Sequence, residues 1–164
     1  MNAKAKPRRG RAQQVARAGE FFVAAELSRR GAHAAVYVGN MPRIDLVASN
    51  VDQIRTASIQ VKTRTAGSWH ARTTDGRPSK KKRGETHFWI FVDILNNKAK
   101  PDFYIMPEWW IANDIHERHA AYLKRYGGKR KHGGDSTHHS INLDRIAQWK
   151  DRWDILGLDL IDVE

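Results

Sequence analysis

The fold is decided by two runs, Arg43-Ile44-Asp45-Leu46-Val47 and Ser58-Ile59-Gln60-Val61-Lys62-Thr63-Arg64. Both are rich in β-branched residues, with the polar stretch Asn50-Val51-Asp52-Gln53 between them, and together they predict an antiparallel hairpin. Side chains along a strand alternate faces, so Gln60 and Lys62 share one side while Ile59 and Val61 share the other. Closure about the bond between Asp52 and Gln53 sets Asp45 opposite Gln60, and a slip of two residues sets it opposite Lys62. In either register a carboxylate, an amide oxygen and an ammonium gather on one face. In a chain of net charge +11, that grouping points to a metal-assisted phosphodiester site.

Composition narrows the classes further. The 164 residues fit one domain, long enough to bury a core without disulfides or structural metal. Cysteine is absent, which excludes disulfides, thiolate zinc sites and thiol nucleophiles and agrees with a reducing compartment. No apolar run approaches the ~20 residues of a membrane span, and the basic N-terminus has no apolar segment behind it, so a soluble cytoplasmic protein with no membrane partner is expected. The 29 Lys and Arg against 18 Asp and Glu call for a polyanionic partner, nucleic acid rather than a lipid surface. A basic structural protein of a ribonucleoprotein would carry the same excess, but it would leave the grouping of Asp45, Gln60 and Lys62 unexplained.

The rest of the chain is organised around the hairpin. Residues 1–10 are basic and broken by Pro7 and Gly10; they read as a flexible arm, either phosphate-contacting or merely solubilising, ahead of a single domain over 11–164. Arg11 to Arg30 predicts a helix closed by Gly31. One apolar row is Val15, Ala18, Phe22 and Ala25; the other is Ala16, Val23, Ala24 and Leu27. Glu26 has Arg29 and Arg30 one turn away as ion-pair partners. Glu20 falls in the second row, where an unpaired carboxylate is costly to bury. It is therefore either a second acid over the hairpin or an edge residue paired with an arginine.

Ala34 to Gly39 predicts a first strand, and His87 to Ile94, nearly all aromatic or branched, predicts a buried central one paired with Asp102 to Met106 across the turn 95–101. Between the two hairpins, Thr65 to Glu85 reads as a long basic loop, with Trp69 available to stack on bases and Lys80, Lys81, Lys82 and Arg83 to meet phosphates; a solvated loop is the alternative. A helix opens at Pro107 and ends at Gly127-Gly128, with Ile111, Ile115, His119, Tyr122 and Tyr126 along one side. His116 with His119, and His132 with His138 and His139, lack a carboxylate at recognised metal spacing and are set aside as ligands. Lys129 to His139 is a second basic loop. Asn142 to Leu156 predicts a short capped helix with Leu143, Ile146, Trp149 and Trp153 inward. Strands joined by hairpins and flanked by helices imply an α/β domain with a mixed sheet.

Gly19-Glu20 on an alanine-rich helix ending Arg30-Gly31, then Ile44-Asp45-Leu46-Val47, then Ile59-Gln60-Val61-Lys62-Thr63-Arg64 resemble the PD-(D/E)xK nuclease superfamily. The resemblance covers about residues 15–64 and is greatest to the branch containing Holliday-junction resolvases. It implies a restriction-endonuclease-like mixed β-sheet flanked by helices. It also implies a catalytic set of Glu20, Asp45, Gln60 and Lys62, with Gln60 standing where the pattern has an acid. Mg²⁺, with Mn²⁺ as a substitute, would be held by Asp45, the Gln60 side-chain oxygen and the Val61 carbonyl, with Glu20 at a second metal or steering water. Lys62 would stabilise charge on phosphate. Thr63, Arg64, Trp69 and the Lys80–Arg83 run are the candidate nucleic-acid contacts. The implied activity is a metal-dependent DNA endonuclease, structure-specific or sequence-specific, acting as a homodimer. Because Gln60 removes a negative charge, the alternative is a non-catalytic nucleic-acid-binding module with a degenerate site.

Overall fold

In the computed structural model, which describes residues 9–39, 41–81, 83–94, 100–128 and 137–163, the chain runs α1 (Arg9–Arg29), β1 (His33–Val36), β2 (Leu46–Ser49), β3 (Thr56–Arg64), β4 (Trp69–Arg72), β5 (His87–Asp93), β6 (Asp102–Pro107), α2 (Glu108–Arg125), β7 (His138–Ile141) and α3 (Leu143–Ile146), with 3-10 turns at Thr73–Asp75, Ala147–Trp149 and Trp153–Leu156. The basic arm up to residue 8, Lys82, the turn at 95–99 and the basic loop at 129–136 with His132 lie outside the described residues.

Five strands form one sheet in the order β1-β2-β3-β5-β6. β3 and β5 are parallel and every other neighbouring pair is antiparallel, so the sheet is mixed, as expected. The β2–β3 ladder pairs Leu46 with Ile59 and Val47 with Ser58, which continues to Asp45 opposite Gln60. This is the symmetric register about Asp52 and Gln53. Asn50 fixes the turn: its buried carboxamide oxygen accepts the N–H groups of Ile54 and Arg55 at 3.1 and 3.0 Å.

β5 shows why its sequence is apolar without alternation. Phe88, Ile90 and Val92 face the α1 side with Val23, Leu27, Ile59 and Val61, while Trp89 and Phe91 face the α2 side with Tyr104, Met106, Ile111 and Ile115. A strand buried on both faces needs apolar residues at every position. At roughly 1.5–3 kcal/mol for each large side chain buried, these two layers hold β3 rigidly in the middle of the sheet.

Three expectations are corrected. In α1 the Val23 and Leu27 row is the buried one, whereas Phe22 is 42% exposed and Ala25 is exposed, so the row through Val15 and Phe22 is not core. The segment Thr65 to Glu85 is not one long loop. It contains β4, which pairs antiparallel with β7 from the far end of the chain, followed by the 3-10 turn. The predicted helix over Asn142 to Leu156 is a four-residue helix and two separate 3-10 turns; Ile146 and Trp153 are buried as expected, but Leu143 is 40% exposed. No described helix is long and apolar enough to cross a membrane.

Candidate active site

Asp45 lies just before β2 and is tied down on three sides. Its N–H donates to the Ile59 carbonyl at 2.9 Å, its carbonyl accepts the Tyr37 N–H at 2.9 Å, and its carboxylate Oδ2 accepts the Val61 N–H at 2.6 Å. The other carboxylate oxygen has no hydrogen bond among the described residues. Val61 thus enters the site through its backbone N–H, and its side chain goes to the core on the opposite face. Gln60, opposite Asp45, has its Oε1 buried with no hydrogen-bond partner. A buried amide oxygen left unsatisfied costs free energy unless something outside the protein pairs with it.

Lys62 shares this face, with Nζ 5.3 Å from the Trp89 ring centroid. Burial pushes its ammonium below the usual lysine pKa; the charges of Asp45 and Asp75 oppose that shift and Arg72 adds to it. Glu20 reaches the same cleft from α1, its carboxylate accepting from Arg17 at 2.6 Å while Arg17 also donates to the Tyr37 carbonyl at 2.9 Å. Glu20 thus lines the cleft and is paired with an arginine, as the second of its two readings expected.

Glu20 gets there because Gly19 lets α1 lie against β3. A methyl group at Gly19 would stand 1.8 Å from Thr63 Oγ1. The cleft into which Glu20, Asp45, Gln60 and Lys62 open has a volume of about 800 Å³. Arg17, Arg43 and Arg72 supply positive charge to its walls, and Thr74 and Asp75 complete it from the 3-10 turn after β4. Arg43 holds a left-handed φ of 65°, a conformation that costs a non-glycine residue roughly 1–2 kcal/mol and tends to accompany functional sites.

Three expected nucleic-acid contacts, Trp69, Arg64 and Thr63, do not face solvent freely. Trp69 is 1% exposed. Its indole N–H donates to the Val92 carbonyl at 3.0 Å and its ring meets Phe91 and Tyr104 edge-on, so it is a core residue and no base can stack on it. Arg64 is buried in an ion pair with Asp93 at 2.5 Å, with its guanidinium 3.7 Å from the Trp69 ring centroid; it is committed to the interior. The hydroxyl of Thr63 is buried under Gly19. Lys82 lies outside the described residues, while Lys80, Lys81 and Arg83 are exposed. Among the described residues no group of three or more His, Asp or Glu side chains is gathered for a metal ion.

Sequence reasoning missed Arg17, Arg43, Arg72 and Asp75. Arg17 carried a signal, since it stands three residues before Glu20 on a helix. Asp75-Gly76 carried only a turn signal.

No protein-family pattern matches the chain, and no curated protein matches it in sequence. Solved structures do resemble it. A bacterial homing endonuclease, I-Ssp6803I, superposes with a TM-score of 0.51 at 14% identity, covering 90% of this chain and 95% of that one. Hjc, a Holliday junction resolvase from Archaeoglobus fulgidus, gives a TM-score of 0.47 at 16% identity, covering 87% of this chain and 95% of the other. With β3 parallel to β5 at the centre of a mixed five-stranded sheet flanked by helices, the chain has a restriction-endonuclease-like α/β fold.

Proposed function

We propose that this protein is a divalent-metal-dependent DNA endonuclease that hydrolyses phosphodiester bonds in the cleft between α1, the β2–β3 hairpin and the turn after β4. The observation that carries the reading is the pairing of an open Asp45 carboxylate oxygen with an orphaned, buried Gln60 Oε1, beside a desolvated lysine. Hard oxygen donors with no protein hydrogen aimed at them fit Mg²⁺ or Mn²⁺, which accept a sparse protein shell completed by water. Asp45, Gln60 and the Val61 carbonyl are the residues that would hold the ion, with Glu20 available beside them. When bound, the metal polarises the scissile phosphate and lowers the pKa of the attacking water.

The remaining work belongs to side chains. The Lys62 ammonium stabilises charge that develops on the phosphate oxygens, and does so more effectively where water is excluded. Asp45 is held in place by Val61 and Tyr37, and Glu20 by Arg17, so little reorganisation is needed when substrate arrives. Arg43, Arg72 and the exposed Lys80, Lys81 and Arg83 attract and position the phosphate backbone without reading sequence. Two strands must be cut to sever a duplex, and we infer a homodimer, which sedimentation analysis would detect.

The test is a cleavage assay on plasmid, linear duplex, four-way junction and single-stranded DNA, with Mg²⁺, Mn²⁺ or chelator. Metal-dependent cutting that is lost in Asp45→Ala while binding persists supports the reading, and the preferred substrate separates a junction-resolving enzyme from a sequence-specific one. Binding without cutting under either metal overturns it in favour of a non-catalytic binding module, for which the uncharged Gln60 would be the cause.

A further inference from the structure

The hairpin that should carry two acids carries one. With Gln60 neutral, Asp45 is the sole carboxylate that the hairpin offers to the cleft, and a divalent ion bound by one carboxylate and neutral oxygens is held weakly. Glu20 does not simply make up the charge, because its carboxylate is already neutralised by Arg17 at 2.6 Å. Among the described residues, the cleft carboxylates without an ion-pair partner are Asp45 and Asp75.

We propose that Asp75, on the 3-10 turn after β4, supplies the second carboxylate of the metal site, in place of the acid absent at Gln60. This rests on the reading of the cleft as a metal-dependent nuclease site and names a residue that carries it.

Three observations support the assignment. First, Asp75 lines the same cleft as Asp45, Gln60 and Lys62, and one of its oxygens, Oδ2, is used by the Arg72 N–H at 3.0 Å; the other has no hydrogen bond among the described residues. Asp45 is prepared in the same way, with one oxygen fixed by a backbone N–H and one open. Second, the turn is anchored on every side. The Thr73 N–H donates to the Thr137 carbonyl at 2.7 Å and the Arg77 N–H to the Ala112 carbonyl at 3.0 Å, while Arg77 pairs with Glu108 at 2.7 Å. Third, Gly76 permits that anchoring, because a Cβ there would lie 2.7 Å from Ile115 Cγ2 and 2.9 Å from the His116 nitrogen. The turn is pressed directly onto α2, so Asp75 is carried on a rigid support, as a metal ligand requires. Asp75 also acts together with Asp45 on the charge of Lys62, which is the balancing role an acid at position 60 would have had.

A purely structural role, capping the turn through the Arg72 N–H, makes a different prediction. Asp75→Asn keeps an oxygen for that N–H and removes only the charge. Mn²⁺ binding to the full chain without DNA, followed by isothermal titration calorimetry, separates the two. We expect Asp45→Asn to abolish binding and Asp75→Asn to weaken it by at least about tenfold, within the range seen when supporting groups of metal sites are removed. Gln60→Glu introduced into the Asp75→Asn variant should restore most of the affinity, because the charge is returned from the strand. If Asp75→Asn does not fold, Asp75→Ser, whose hydroxyl can also cap the turn, takes its place in the same titration. An Asp75 variant that binds Mn²⁺ as the native chain does, while Asp45→Asn does not, overturns the assignment and leaves the nuclease reading standing. A native chain that neither binds Mn²⁺ nor cuts DNA overturns both.

Discussion

Replacing Gly19 with alanine tests how α1 delivers Glu20 to the cleft. The added methyl would stand 1.8 Å from Thr63 Oγ1, 2.9 Å from its Cβ and 3.0 Å from its Cγ2, where ordinary contact begins near 3.4 Å. Turning the threonine about χ1 relieves the first clash but not the second, because Cβ does not move. Helix and strand must then separate by about half an ångström, and overpacking of this kind costs roughly 1–3 kcal/mol. Against that, alanine in place of glycine inside a helix returns about 1 kcal/mol. With so short a contact the steric cost belongs at the upper end, leaving a net loss of about 1–2 kcal/mol. For a chain of this size that lowers Tm by roughly 2–8 °C. Cleavage, measured at a temperature where both proteins are fully folded, should fall as well, since Glu20 moves with the helix. Thr63→Ala alone should be close to neutral, because the hydroxyl it removes is buried with no partner, and in the double variant it should recover only part of the stability, since the 2.9 Å approach to Cβ remains. If Gly19→Ala is as stable as the native chain or more so, helix propensity alone is at work and the close approach of α1 to β3 is refuted.

Other outcomes follow from the geometry. Trp69→Ala should destabilise the fold by about 3–5 kcal/mol in thermal or urea melts, with DNA affinity unchanged in the folded fraction; selective loss of affinity would restore the base-stacking role. Asp93→Ala leaves Arg64 buried without its partner and should cost about 3–5 kcal/mol, again by melting. Lys62→Ala should eliminate cleavage while leaving a DNA band shift intact, and chelator should do the same to the native protein. Glu26 provides a pH signature. Burial raises its carboxyl pKa, but the hydrogen bonds and charges of Arg29 and Arg30 outweigh that and leave it lowered. A carboxyl depressed on folding adds stability above its unfolded pKa and loses it as pH falls through the folded value. Glu26→Gln should therefore melt slightly below the native chain at neutral pH and converge with it in strong acid.

The hairpin was legible because its information is local: two β-branched runs, a short polar turn and a period of two suffice to put Asp45, Gln60 and Lys62 on one face, while the choice of Asp45 against Gln60 over Asp45 against Lys62 came from the structure. β5 was legible for the same reason, since a run with no alternation has few other places to go than a doubly covered strand. β4 and β7 were not, because each is four residues long and neither forms without the other, which lies far away in sequence. That one omission misplaced Trp69. In a polar, basic stretch an aromatic reads as exposed, and it is the pairing of Trp69 with Ile141 that turns it inward. Arg64 was misassigned because its partner Asp93 sits on another strand, and no spacing rule links them. Asp75 was overlooked as a lone acid in a basic segment, where its value depends on which wall of the cleft the 3-10 turn completes. On α1, two apolar rows were visible but the sequence could not say which one the sheet would cover.

The long-range pairing of β4 with β7 also sets an order of events. During synthesis α1 and all five strands of the main sheet are available once Pro107 has emerged, and their contacts reward early collapse. The wall holding Arg72 and Asp75 waits longer, until Ile141 can pair with Trp69 and Thr137 can accept from Thr73, because loop-closure entropy must be met before such distant strands gain anything by meeting. A nascent chain thus holds Asp45, Gln60 and Lys62 in register while one side of the cleft is still open. A fragment ending before β7 is expected to keep the sheet and lack the finished site, because Trp69 and Thr73 would be left without Ile141 and Thr137.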